Sequence, residues 1–209
     1  MTAQAKFPFQ YRPINDPEGV ITVDVARSLD EIMAALGVRK IVFVGEQRCP
    51  YEEEFDGNDF AGATHLLARV RGEPAGTLRL RWFADFCKLE RVAVKPDHRG
   101  ESISSVLMTA AVDLARHKGY RKGLGHIQAH LTSFWERFGG RIRTDRRFVF
   151  SDYEYVEIEF DLEPVADSLN LDTDPLILLR PEGRWGEPGV LDRSALRGAL
   201  DRSKKPDSG

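Results

Sequence analysis

Apolar and polar positions alternate in a regular succession of strand and helix patterns as far as residue 162. Val20 to Val25 alternates Val, Ile and Val with polar residues and predicts a first strand. Ser28-Leu-Asp-Glu31 has the form of a capping box, with Leu29, Ile32, Met33 and Leu36 at helical spacing behind it. Arg39 to Val44 fits either a strand or buried helix, because a short apolar run has no distinguishing period. A polar, acidic loop runs from Glu46 to Asp59. His65 to Arg71 and Ala75 to Phe83 predict a hairpin turning at Arg-Gly-Glu-Pro, and Leu89 to Val94 a further strand. Ile103, Val106, Leu107, Ala110, Ala111 and Leu114 mark one face of a long helix. It closes with Arg116, His117 and Lys118 before Gly119, which suits both the helix dipole and a glycine C-cap. Lys122 to Ala129 reads as a strand, and Leu131 to Phe138 as a short helix ending at Gly139-Gly140. Arg141 to Arg147 and Tyr153 to Leu162 read as a last strand pair, with Val156, Ile158, Phe160 and Leu162 alternating against Glu157, Glu159 and Asp161.

From Glu163 the pattern gives way to Pro164, Asp167, Asn170, Asp172, Asp174, Pro175, Pro181 and Pro188, with one apolar run from Leu176 to Leu179. Residues 1–162 are therefore expected to form one domain. Residues 163–202 are expected to form an extended arm packed on that domain or on a second subunit of a homodimer, and 203–209 a disordered tail. Arg180-Pro-Glu-Gly-Arg-Trp185 fits a cover over an apolar patch or a dimer contact equally well.

Composition narrows the class. A chain of 209 residues with 42% hydrophobic content suffices for one globular domain. Its net charge of −3 lacks the basic footprint of a nucleic-acid binder. No apolar run approaches the roughly 20 residues of a membrane span, and the N-terminus lacks the apolar core of a signal peptide. Cys49 and Cys87 are expected to be reduced thiols, and the setting cytoplasmic.

The most specific chemistry lies between Glu90 and Met108. A short strand runs through Pro96 into a basic turn, Arg99-Gly100, and at once into a helix. Such a turn presents unpaired backbone N–H groups at a helix N-terminus, where a pyrophosphate can sit. A phosphorylated carrier is the implied ligand.

This order, with Val92-Ala-Val94, Pro96, Arg99-Gly100 and the amphipathic helix, resembles the GNAT N-acetyltransferase superfamily. Val42-Phe-Val-Gly-Glu-Gln-Arg-Cys-Pro-Tyr51, Asp56-Gly-Asn-Asp59 and His65-Leu-Leu67 resemble its ElaA-like branch, as do Gln128-Ala-His-Leu131 and Phe134-Trp-Glu-Arg-Phe-Gly139. The likeness covers about residues 20 to 162. It implies an α/β (α+β) GNAT fold, a mixed sheet of about six to seven strands flanked by helices, with strands splayed at a CoA cleft. It also implies acetyl-CoA or another acyl-CoA as donor, a primary amine of a small molecule or peptide as acceptor, and no metal. The donor is expected along Val92, Ala93 and Val94, at the turn Arg99, Gly100, Glu101, Ser102, Ile103 and Ser104, and against Phe134 and Trp135. The chain departs from the family twice. Ser102 and Ser104 stand where the pyrophosphate turn has glycine, and Trp135 where the family usually has a tyrosine that protonates the leaving thiolate.

Acyl transfer needs a neutral amine. At pH 7 a lysine-like ammonium is neutral in about one molecule per few thousand, so a base helps. Glu90 is the first candidate, with an ion pair to Arg91 or Arg79 as its structural alternative; His130 is the second. A thiol near pKa 8.5 leaves readily, so water, Ser133 or Tyr153 can serve as acid. Glu46, Glu53 and Asp56 on the acidic loop, with Trp82, are candidate acceptor contacts; a solvated loop and a core tryptophan are the bland alternatives. A longer acyl donor and a silent CoA-binding module are the competing functions.

Overall fold

The computed structural model describes residues 20–197, leaving aside the side chains of residues 144, 145 and 195. The expectations for the N-terminus and the 203–209 tail lie outside these residues. By contacts the described residues fall into two compact units, 20–170 and 171–197.

The first unit is built on one sheet of seven strands. These are β1 Ile21–Val25, β2 Ala63–Val70, β3 Glu73–Trp82, β4 Cys87–Val94, β5 Lys122–Gln128, β6 Gly140–Phe150 and β7 Tyr153–Asp161. Their spatial order is β1-β2-β3-β4-β5-β7-β6, antiparallel throughout except for β4 with β5. The parallel pair requires a crossover, supplied by helix α3, Ile103–His117. Ala75 to Leu80 of β3 are all buried, so both faces of the sheet are covered there. Helix α1, Leu29–Arg39, and α3 both pack on β3.

The six apolar positions assigned to α3 are all buried. Gly76 of β3 lets that helix approach: a Cβ there would lie 2.7 Å from Ile103 Cγ2 and 3.1 Å from Leu107 Cδ1. The capping box of α1 also forms, Ser28 Oγ accepting from Glu31 N at 3.2 Å while Glu31 Oε2 accepts from Ser28 N at 3.1 Å. Its buried face differs from the expected one. Leu29 and Met33 are 68% and 57% exposed, while Ala35, Val38 and Arg39 are buried. The buried Arg39 guanidinium, bound to Glu54 and Asp59, accompanies this rotation of the helix.

The ambiguous run after α1 is helical, wound as a π-helix over Lys40–Glu46 that ends with Gln47 N donating to Val42 O at 3.0 Å. The wider turn brings Val42, with Phe43, against Val38 and Ala93. Within the acidic loop Tyr51–Glu54 forms a helical turn, α2, and Thr132–Glu136 forms α4. In the second unit the stretch expected to be extended contains two short helices, α5 Pro175–Leu178 and α6 Val190–Ala195. Asp174 caps α5, and Asp192 links Gly189 N at 2.6 Å to the Arg180 guanidinium at 2.8 Å. These local polar bonds hold turns that apolar periodicity does not signal.

Candidate active site

Strand β4 stays paired with β3 as far as Val94, but with β5 only at Cys87–Gly123 and Lys88–Leu124. A bulge lies within the parted stretch: the β3–β4 register shifts between Thr77 and Arg79, and Arg91 takes a left-handed φ of 55°. Bulges bend and twist the strand that carries them. Beyond Lys88 the β5 side of β4 has no strand partner among the described residues. A cavity of about 550 Å³ opens in the gap, within the usual range for a small-molecule site. Val92, Ala93 and Val94 form one wall and His126, Ile127 and Gln128 the other. Val42, Phe43, Phe134 and Trp135 complete its apolar lining, and Phe148, Phe150 and Tyr155 come from the β6–β7 hairpin.

At one end stands Arg99, which with Ser104 contributes to the wall. Its guanidinium forms a fork with Glu46, Nη1–Oε1 2.8 Å and Nη2–Oε2 2.5 Å, and both side chains are partly exposed. Glu46, expected to meet an amine, instead faces the arginine at the cavity mouth. The expected turn divides into two sides. Gly100, Glu101, Ser102 and Ile103 do not line the cavity. Ile103 is core, 1% exposed. Glu101 and Ser102 border a separate hollow with Asp97 and His98. Ser102 holds φ 61°, ψ 11°, a left-handed conformation natural to glycine, so the glycine expected there from the family resemblance would answer to backbone shape.

The acidic loop is mostly structural. Arg79, wholly buried in β3, binds Asp56 (2.7 Å), Asp59 (2.8 Å) and Glu90 (2.8 Å). Arg39, also wholly buried, binds Glu54 and Asp59, and Arg91 binds Glu54 at 2.9 Å and Asp56 at 3.4 Å. Burial pushes the Asp56 and Asp59 carboxyls up, but the arginines outweigh it and hold both below the usual range. Asp56 touches the cavity already paired. Glu53 accepts a hydrogen bond from the Ser151 hydroxyl and does not line the cavity. Trp82 lies elsewhere, stacked on Tyr120 at 5.1 Å and donating to Thr64 Oγ1 at 2.9 Å.

Glu90 lines the cavity, but both its oxygens are engaged, Oε1 by Arg79 and Oε2 by Lys88 at 2.9 Å. Burial raises its proton affinity, and Arg79 and Lys88 more than reverse this, holding the carboxyl below its ordinary range. That makes it a weak proton acceptor. His130 lies on the cavity rim and is exposed. Ser133 is exposed outside it, and Tyr153 is 37% exposed at the hairpin end. Trp135 is core as well as wall, 5% exposed against Phe160.

Three residues that pattern reading passed over complete the site. His126 lines the cavity, and its Nε2 lies 3.1 Å from Glu157 Oε2 across the β5–β7 ladder, where the two are register partners. Glu157 also meets Arg143 at 3.3 Å. Tyr155 lines the cavity next to Gln128, whose Nε2 is 3.5 Å from the phenol oxygen. Burial raises the Tyr155 pKa, so it remains a protonated phenol. The signal for Tyr155 and Glu157 was their alternation against Val156 and Ile158.

Residues 24–139 match the family model described as "Acetyltransferase (GNAT) family". The chain belongs to the GNAT acetyltransferase family. Escherichia coli Protein ElaA is 34% identical over 118 residues, covering 54% of this chain and 76% of the relative. The crystal structure of Escherichia coli ElaA superimposes with a TM-score of 0.61 at 25% identity, covering 68% of this chain and 99% of that one. An acyl-CoA N-acyltransferase from Pseudomonas aeruginosa gives a TM-score of 0.61 at 28% identity, over 67% and 97% of the two chains. A GNAT family acetyltransferase from Elizabethkingia anophelis, crystallised with acetyl-CoA bound, shares the fold at 15% identity and a TM-score of 0.55, over 69% and 100%. In this GNAT chain Glu54 and the ElaA-like motif residues Asp56 and Asp59 supply anions to the buried arginine network.

Proposed function

We propose that this GNAT protein transfers an acetyl or other short acyl group from acyl-CoA to a primary amine, by direct attack while both substrates are bound. The observation that carries this reading is the parted β4 edge, which leads along the cavity towards Arg99. An extended ligand bearing amides can pair with a free strand edge, and a diphosphate suits a guanidinium beside a helix N-terminus. Both features match acyl-CoA, which has amides in its arm and a diphosphate at its far end. Arg99 exchanges Glu46 for the diphosphate, a swap that the exposure of both side chains permits. The acetyl-CoA held by the Elizabethkingia anophelis relative supports the same donor.

The acceptor enters from the aromatic end, beside Phe148, Phe150 and Tyr155. Tyr155 protonates the departing thiolate, the task for which Ser133 and Tyr153 lie outside the cavity. Glu90 fixes Lys88 in the cavity wall and ties it to the buried Arg79 behind. The test is thiol release from acetyl-CoA with a panel of primary amines, alongside thermal shift with acetyl-CoA and longer acyl-CoAs. Amine-dependent release is expected, with Y155F lowering kcat about tenfold or more. No shift and no release with any donor would refute the reading; release only with longer donors would revise the acyl group.

A further inference from the structure

We infer that His126 is the group that takes the proton from the acceptor's ammonium, with Glu157 as its positioning residue; the assignment rests on the acyl-transfer reading above. His126 stands on β5 in the wall of the cavity, opposite the β4 edge. Its Nε2 meets Glu157 Oε2 at 3.1 Å. With Nε2–H donating to that carboxylate, Nδ1 keeps its lone pair and is the ring nitrogen left to accept a proton. A carboxylate on one nitrogen fixes the tautomer and orients the ring. Phe148 packs edge-on to the ring at 5.0 Å and restricts it further. The other cavity groups are less suited: Glu90 is locked between two cations, and His130 is exposed on the rim.

The electrostatic surroundings favour a neutral imidazole. Burial lowers the His126 pKa, Lys88 on β4 lowers it further, and Glu157 on β7 and Glu90 on β4 pull it back up. Arg143 on β6 tempers Glu157. A neutral imidazole at physiological pH is the form that can accept a proton.

The protons balance as follows. The ammonium gives one proton to His126 Nδ1, and the freed amine adds to the thioester carbonyl, forming the C–N bond. The C–S bond then breaks, its electron pair leaving on sulfur, and Tyr155 protonates the thiolate. The second nitrogen proton restores the phenol, and imidazolium releases its proton to water. Amide, free thiol and one proton result.

The test compares wild type, H126Q and E157Q in steady-state thiol release across pH, with donor affinity measured by calorimetry. H126Q should lower kcat on the order of 10²-fold at unchanged CoA affinity and abolish the acidic limb of the profile. E157Q should shift that limb to lower pH, because the carboxylate that raises the imidazole pKa is gone. Wild-type turnover with an unaltered H126Q profile overturns the His126 assignment alone. Wild type that releases no thiol with any amine overturns the transfer reading and this assignment with it. If H126Q fails to fold, NMR titration of wild-type His126 decides: a pKa matching the kinetic limb supports the role, and a mismatch overturns it.

Discussion

Arg79 offers the sharpest test of what holds this site in shape. It is wholly buried in mid-strand and shared by three carboxylates, at 2.7 Å from Asp56, 2.8 Å from Asp59 and 2.8 Å from Glu90. Arg79→Met preserves most of the volume and removes the charge. Deleting one partner of a buried ion pair costs about 3–5 kcal/mol, because the remaining charge stays buried without compensation. Here each carboxylate keeps a second cation: Arg91 for Asp56, Arg39 for Asp59, Lys88 for Glu90. The lower end, about 3 kcal/mol, is therefore expected. In a unit of this size each kcal/mol moves Tm by about 2–4 °C, so the fall should be about 6–12 °C. Urea and thermal unfolding followed by circular dichroism measure it. Adding Asp56→Asn should recover part of the loss, since one stranded charge disappears. A stability within 1 kcal/mol of wild type, roughly the scatter of an exposed pair, would refute the view that this network organises the site.

Stability should also fall on acidification. Asp56, Asp59 and Glu90 have folded pKa values below their unfolded ones, so their contribution is complete above about pH 4.3 and is lost as pH drops through the folded values. Burial lowers the pKa of His65 and His126, which adds a loss of the same sign beginning near pH 6.5; urea midpoints that rise on acidification from pH 7 to pH 5 would contradict the histidine part, and midpoints that do not fall from pH 4 to pH 2 the carboxylate part. Ser104→Ala should weaken CoA binding about two- to tenfold, the range of one hydrogen bond, whereas Ser102→Gly, facing the other hollow, should leave calorimetric affinity nearly unchanged. Gly76→Ala should cost about 1–3 kcal/mol by overpacking, since its Cβ would press on Ile103, Leu107 and the Ala93 carbonyl; a neutral effect would mean that α3 yields freely.

The succession of strands and helices was legible in the chain because burial imposes a period. The α3 face, the Val156 to Leu162 alternation and the Ser28 cap are local patterns that the tertiary structure reproduces. Motif spacing likewise marked the Arg99 turn, and the family membership follows it. Charged residues were another matter. Glu52 to Asp59 is an acidic loop in one dimension, and only the fold shows that Arg39 and Arg79 reach it from 20 residues away on either side. Nothing in local spacing distinguishes a carboxylate awaiting a ligand from one already paired, because the partner arrives from another strand. The same holds for Glu90, which the chain offers as a base and the sheet gives to Arg79 and Lys88. Conversely, His126 and Glu157 lie 31 residues apart and become neighbours through the β5–β7 register. Sequence periodicity thus determined the buried faces of α3 and β7, though not that of α1, while strand pairing decided which charges meet. Ionic and hydrogen-bond contacts depend on positions in space, and the residues that share them carry no common period along the chain.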